Sequence, residues 1–345
     1  MLSVVIDGPQ SVRVDEVDDP APPGPDGAVV RVIETGICGS DLHFYDGDIP
    51  VGSGLSVGHE CIGEVVALGS AVSSFDRGDR VLVSSVAACG RCPECAATAD
   101  PVRCEAGFAV FGSGMLPGAQ ATLLAVPAAD FQLMRIPEGI GDEAALLLTD
   151  NLATGWVAAA RADIEPGSTV AVVGAGAVGL CAIRSAFVLG AARVIAIDPV
   201  AGRRATAAAS GAETCDPSVG DLGEQVGGMT GGRGADSVIE AVGREATITA
   251  AIRCVRVGGT VSVVGVPSGD GVPMPVMSAL LRSNTVRFTT APVQRAWRAL
   301  VPLILAERLS TDGIFTHRFA LADAPAAYRK ASERADDCIK VRLTP

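Results

Sequence analysis

The chain has 345 residues, too many for one ordinary core, and is expected to fold as two domains of about 100–200 residues each. Hydrophobic residues make up 48% and charged residues 19%, which excludes a disordered chain. A net charge of −12 excludes an electrostatic surface for nucleic acid or anionic membrane, so any bound phosphate must be held by local backbone geometry.

The opening MLSVVIDGPQ carries no basic stretch, and Asp7 interrupts its apolar run, so no targeting signal is read there. Residues 29–33, 63–68 and 80–83 read as short strands, with turns at PAPPGPDG (20–27) and SSFDRGD (73–79). In this mostly β half, ICGSDLH (37–43) gathers a thiol, a hydroxyl, a carboxylate and one of the chain's three histidines. By themselves these residues leave open a reactive cysteine, a metal site or a polar loop around a buried thiol. CGRCPEC (89–95) is a C-x2-C-x2-C, with Cys104 following. With no secretory signal, Cys89, Cys92, Cys95 and Cys104 are expected to bind a metal rather than form disulfides. Four thiolates and no open position make a structural zinc site.

From about residue 165 strands and helices alternate. Strands are read at 169–173, 193–197, 237–241 and 260–266, and helices at 177–189, 201–210 and 245–255, which implies a doubly wound parallel sheet. The longest apolar stretch, 170–183, is short of a membrane span, and a cytoplasmic protein is expected. Gly174, Gly176 and Gly179 form a G-x-G-x-x-G between a strand and a helix, a pattern that brings backbone close to a pyrophosphate at a helix N-terminus. Asp198, nineteen residues beyond Gly179, ends the next strand, where a carboxylate accepts hydrogen bonds from ribose hydroxyls and repels a 2′-phosphate. NAD is therefore preferred, with Arg203 and Arg204 nearby leaving NADP a lesser option. After 290 the alternation weakens; a helix at 325–333 and a strand at 337–343 suggest a tail that rejoins the first half.

Taken together, Cys38-Gly39-Ser40-Asp41-x-His43, Gly58-His59-Glu60, the four-cysteine segment and the G-x-G-x-x-G resemble, in order and spacing, the zinc-dependent alcohol dehydrogenases of the medium-chain dehydrogenase/reductase superfamily. The resemblance spans essentially the whole chain. It implies an α/β protein with a discontinuous, mostly β GroES-like catalytic domain (1–150 and 290–345) and a Rossmann domain (151–289). It also implies two zinc ions per chain. Cys38, His59 and Asp150 take the catalytic ligand places, and Glu60 is a further candidate for that shell. Thr154 matches the family's nicotinamide-contacting threonine. Lys340 falls where the family often has a cation near the pyrophosphate or near the residue after the metal-binding His59.

Zn²⁺ with one thiolate, one carboxylate and a neutral imidazole sums to zero charge, so an alcohol bound there as alkoxide would be stabilised and hydride could pass to NAD. Ser40 would touch the reacting oxygen and His43 would release the proton to solvent. Asp41 would accept the second N–H of His59 and fix its tautomer. His317 is expected to be structural. Two departures stand out: the Cys95–Cys104 interval is one residue longer than the family's pattern, and Gly39 replaces a basic residue of some members. The substrate expected is a small alcohol or aldehyde, with a polyol or amino alcohol as the alternative; Phe44, Phe111, Asn151 and Trp156 are candidate pocket walls. A non-catalytic NAD-binding protein is the remote alternative. A homo-oligomer is expected, a tetramer before a dimer.

Overall fold

The structure, a computed structural model, describes residues 1–267 and 271–345. Contacts divide the chain into two compact units: Met1–Ala153, Pro292–Ala306 and Phe315–Pro345 in the first, Thr154–Ala291 and Glu307–Ile314 in the second. The return to the first unit is thus interrupted, where the sequence reads as one continuous tail from residue 290. Arg184 supplies the reason. It donates to Ser310 O at 3.1 Å and to Asp312 O at 2.7 Å, holding that loop in the second unit.

The first unit is mostly β. Its largest sheet runs Leu133–Arg135, Arg80–Val83, Cys61–Leu68, Ala28–Ile37, Lys340–Thr344 and Phe315–Ala320, with Leu123–Val126 also paired to Ala28–Ile37. The strand Ala28–Ile37 is central and correspondingly apolar; Ala28, Val30 and Val32 pack with Val65, Val81 and Leu124 in one buried core. Register determines what this sheet delivers. Thr35 lies opposite Cys61, Ile37 opposite Val341, and Cys61 opposite Val83. Because these pairs are antiparallel, the end of the central strand meets the starts of two neighbours and the end of the next. Cys38, His59-Glu60, Lys340 and Ser84-Ser85 therefore leave the sheet at one corner. Ser85 N–H then donates to Thr149 O at 3.0 Å, which brings in Asp150.

Two features of this unit differ from the sequence reading. The last strand begins at Lys340, not 337, because Arg334, Asp336 and Asp337 all adopt positive φ in a tight turn ahead of it. The helix Val293–Leu305 was not anticipated; it buries Val293, Ala296, Trp297 and Leu300, one face at helical spacing. Trp297 Nε1–H anchors it to Leu148 O at 2.9 Å.

The second unit is a six-stranded parallel sheet. Its order is Glu213–Cys215, Arg193–Ile197, Thr169–Val173, Ala235–Glu240, Val255–Val263 and Thr285–Phe288, all neighbours parallel. Counted from Thr169–Val173 this is 3-2-1-4-5-6, the doubly wound dinucleotide-binding topology. Both edge strands escaped the sequence reading; Glu213–Cys215 is three residues long with two of them exposed, and carries no periodic signal. Among the described residues no helix is long and apolar enough to cross a membrane.

Candidate metal centres and nucleotide site

At the corner of the first unit's sheet, ligand atoms of Cys38, His59, Glu60 and Asp150 lie within 4.8 Å of one another. Asp150 Oδ2 is 3.7 Å from both Cys38 Sγ and His59 Nε2, and Ser40 Oγ is 3.5 Å from that same nitrogen. The turn that presents His59 depends on Gly58, whose φ is +94° and whose added Cβ would lie 2.4 Å from Gln120 Cγ. A thiolate, an imidazole nitrogen and a carboxylate converging in this way suit zinc, with one coordination position left open.

The outer side of the cluster is equally ordered. His59 Nδ1 lies 3.3 Å from Asp41 Oδ1, so that nitrogen carries the proton and Nε2 faces the cluster. Asp41 in turn accepts from Cys38 N–H at 2.9 Å and from Gln120 Nε2 at 3.2 Å, and Gln120 Oε1 accepts from Tyr328 O–H at 2.8 Å. Asp41, Gln120 and Tyr328 are almost fully buried, which makes this chain of hydrogen bonds costly to break. Burial alone would lower His59, but Asp41, Asp150 and Cys38 outweigh it and hold the imidazole well above its usual value. Burial opposes ionisation of Asp150, yet His59, Lys340 and the Ser85 hydroxyl hold its carboxyl at about 2.

Lys340 lies beside Glu60, the residue after His59. It is 2% exposed, with Nζ 2.8 and 2.7 Å from the two oxygens of Glu60 and 3.3 Å from Ile37 O. The register Ile37–Val341 puts it there, one residue from the central strand's end. Its ammonium is the counter-charge of the buried Glu60 carboxylate. Burial pushes Glu60 up while Lys340 opposes the rise.

Cys89, Cys92, Cys95 and Cys104 form the second cluster, again within 4.8 Å, and all four are free thiols. Cys89 and Cys104 sulfurs are 3.5 Å apart, beyond a disulfide bond, and the longer Cys95–Cys104 interval does not keep Cys104 from its place. Backbone N–H groups of Arg91 and Cys92 hold the Cys89 thiol down at about 6, while burial raises Cys95. Four sulfur ligands with local N–H donors suit a closed tetrahedral zinc site.

In the second unit the strand Thr169–Val173 runs into Gly174 and then the helix Ala177–Val188. Gly174 has φ +91°, and a Cβ on Gly179 would sit 1.8 Å from Gly174 O, so both positions exclude a side chain. Gly176, at the N-cap, offers no side-chain cap, which leaves the first N–H groups of the helix facing outward. Asp198 Oδ2 accepts from Ala175 N–H and Oδ1 from Val200 N–H, both at 2.8 Å. Each oxygen keeps a lone pair. Arg203 Nη1 pairs with Asp198 Oδ2 at 4.0 Å, and Arg204 is engaged with Asp198 O, Pro199 O and Asp216. Thr154 is half-buried on the helix Asn151–Ala160.

His43 Nδ1 pairs with Asp48 Oδ2 at 3.1 Å, a partner that spacing did not reveal. Two of the aromatic candidates for pocket walls, Phe111 and Phe44, pack with hydrophobic cores. Phe111 belongs to the core of the first unit's sheet, and Phe44 packs against the cluster around Tyr45 and Tyr328. Trp156 is half-buried on its helix, and Asn151 points into the metal cluster. His317 bonds its neighbour Thr316 at 2.9 Å on the strand Phe315–Ala320.

Residues 24–138 match the alcohol dehydrogenase GroES-like domain, and residues 177–306 the zinc-binding dehydrogenase domain. The chain therefore belongs to the zinc-dependent alcohol dehydrogenase family of the medium-chain dehydrogenase/reductase superfamily and is an alcohol oxidoreductase. It is 55% identical over 345 residues to the "Probable zinc-binding alcohol dehydrogenase Rv1895" of Mycobacterium tuberculosis, covering 100% of this chain and 89% of that protein. Among solved structures, alcohol dehydrogenase TADH from Thermus sp. ATN1 is similar with a TM-score of 0.94 and 38% identity, each chain fully covered. A dehydrogenase of Sinorhizobium meliloti 1021, solved bound to NADP, is similar at a TM-score of 0.85 and 31% identity over 100% of this chain and 99% of that one.

Proposed function

We propose that the protein is an NAD-dependent dehydrogenase that oxidises an alcohol to an aldehyde or ketone, or runs the reverse reduction, with zinc at Cys38, His59 and Asp150. The observation that carries this reading is the Ser40 hydroxyl beside the cluster-facing nitrogen of His59, 3.5 Å away. A zinc ion held by these ligands supplies Lewis acidity to the substrate oxygen. The remaining work falls to the chain. Ser40 accepts the hydroxyl proton while giving up its own, because a hydroxyl both donates and accepts. His43 receives the proton nearer the surface, its Nδ1 turned toward Asp48 so that Nε2 is the basic nitrogen. NAD held at the glycine-rich turn would supply the hydride acceptor, so each turnover would yield one carbonyl product, one reduced cofactor and one proton.

Asp198 supports NAD over NADP. Its carboxylate is held in one orientation by two backbone N–H groups, with a lone pair on each oxygen for ribose hydroxyls and a charge that repels a 2′-phosphate. Asp198→Ala is expected to weaken NAD and narrow its advantage over NADP, measured as kcat/KM with each cofactor. An unchanged ratio assigns Asp198 to the turn alone. The reaction itself is tested by following cofactor reduction with primary, secondary and polyol substrates. Zinc-loaded protein that turns over none of them removes the proposal.

A further inference from the structure

We infer that Asn151 is a positioning residue that ties the carboxylates of Asp150 and Glu60 and the Cys38 sulfur into one preformed ligand cluster, with Ser85 fixing the other oxygen of Asp150. The inference rests on the metal-binding part of the function proposed above. Asn151 is 1% exposed, and its Nδ2 lies 2.8 Å from Asp150 Oδ2, 3.0 Å from Glu60 Oε1 and 3.7 Å from Cys38 Sγ. The amide orientation follows from this neighbourhood. The reverse orientation would point Oδ1 at three acceptors, two of them carboxylates. An NH₂ group has two hydrogens, so the carboxylates take the direct bonds and the sulfur a longer, shared contact.

Asp150 is gripped on both sides. Ser85 Oγ–H donates to Oδ1 at 3.1 Å, and Asn151 donates to Oδ2, the oxygen nearest Cys38 and His59. Rotation of the carboxylate would break both bonds. Asn151 is the first residue of the helix Asn151–Ala160, and its amide donors go to the cluster. Glu60 is thereby held between two partners, Asn151 and Lys340, so its carboxylate stays beside Asp150 despite their like charge.

Partners of this kind affect metal affinity by about 10–100-fold. Asn151→Ala is therefore expected to weaken zinc at Cys38, His59 and Asp150 by about that factor in competition with a chromophoric chelator. The zinc of the four-cysteine lobe should be unaffected and serves as the internal control. In protein carrying cobalt(II) at the mixed site, the d–d absorption should shift, a signature that a purely structural role would not move. Ser85→Ala should show a smaller loss, since it touches only the outer oxygen. Asn151→Asp, which replaces donors by a further carboxylate, should lose more than Asn151→Ala. Native zinc affinity and a native cobalt spectrum in Asn151→Ala would falsify the inference. If that variant is recovered unfolded, Asn151→Ser, with one donor and no bridge, carries the same test, and native affinity there overturns it equally. Unaltered protein that binds zinc in the lobe alone also overturns it. Unaltered protein with two zincs and no alcohol turnover removes the proposed reaction and leaves Asn151 in its role.

Discussion

Cys89, Cys92, Cys95 and Cys104 fall within sixteen residues, whereas Cys38 and Asp150 come together from positions 112 apart. In the cysteine lobe the supporting hydrogen bonds are as local as the ligands, with Cys92 N–H on Cys89 Sγ and Cys95 N–H on Cys92 Sγ, both at 3.4 Å. In the mixed cluster Asp41 and Asn151 lie close in sequence to the ligands Cys38 and Asp150, but Ser85, Gln120 and Lys340 reach it from distant parts of the chain. A metal in the lobe holds a loop that has little core of its own. The mixed cluster is held by sheet register and buried hydrogen bonds, and can keep its shape and an open coordination position.

That contrast is broken most sharply by removing one ligand from each side. Asp150→Asn is expected to lose the mixed-site zinc and bring alcohol turnover to background while the lobe's zinc stays. Cys104→Ser should lose the lobe's zinc and open residues 89–104 to protease. Zinc per chain by elemental analysis and limited proteolysis read both outcomes. Two zincs in Asp150→Asn would take Asp150 out of the ligand set.

A smaller effect separates the clusters by charge. Lys340→Met leaves the fully buried Glu60 carboxylate without its cation, and breaking a buried pair on one side costs about 3–5 kcal/mol. Denaturant unfolding of the metal-free protein should show this loss. Adding Glu60→Gln should recover most of it, because the double variant buries no lone charge. A double variant as unstable as Lys340→Met would show that the ammonium acts through packing, including its place 5.9 Å from the Phe315 ring centre, rather than through Glu60.

Spacing made the lobe readable from the sequence because its ligands are neighbours along the chain. The Rossmann sheet was readable because buried strands and helices of regular length repeat. Cys38, His59 and Asp150 were named through resemblance, since no local pattern links positions so far apart. Their supports were harder. Lys340 was placed either near the pyrophosphate or near the residue after His59; the pairing of Ile37 with Val341, which returns the last strand beside Cys38, puts it on Glu60. Gln120 and Ser85 carry no sequence signal at all; they matter through what the sheet places beside them. The helix Val293–Leu305 did carry one, the i, i+3, i+4, i+7 set Val293, Ala296, Trp297 and Leu300, and it runs on through Pro302. Phe44 and Phe111 were read as pocket walls because aromatic residues are scarce, and both went to cores instead.

The gentlest way to tell the clusters apart is by protons. His59, raised well above 6.5 by Asp41, Asp150 and Cys38, contributes stability to the metal-free protein that is fully present below 6.5 and is lost as pH rises through the raised value. Asp150, held at about 2 from an ordinary 3.8, contributes stability present above 3.8 and lost as pH falls toward 2. Both terms are in force between these limits, and metal-free protein should lose the His59 share on going alkaline. Zinc at the mixed site must displace the His59 proton, because the cluster-facing nitrogen has to be free to coordinate. Calorimetry in buffers of different ionisation heat, with Cys104→Ser protein so that only the mixed site is titrated, should therefore show proton release near neutral pH that includes His59. Asp41→Asn should reduce that release, since the neutral amide no longer favours the imidazolium. If the release is unchanged, Asp41 orients the ring without holding its proton, and the cation of the metal-free cluster is Lys340 alone.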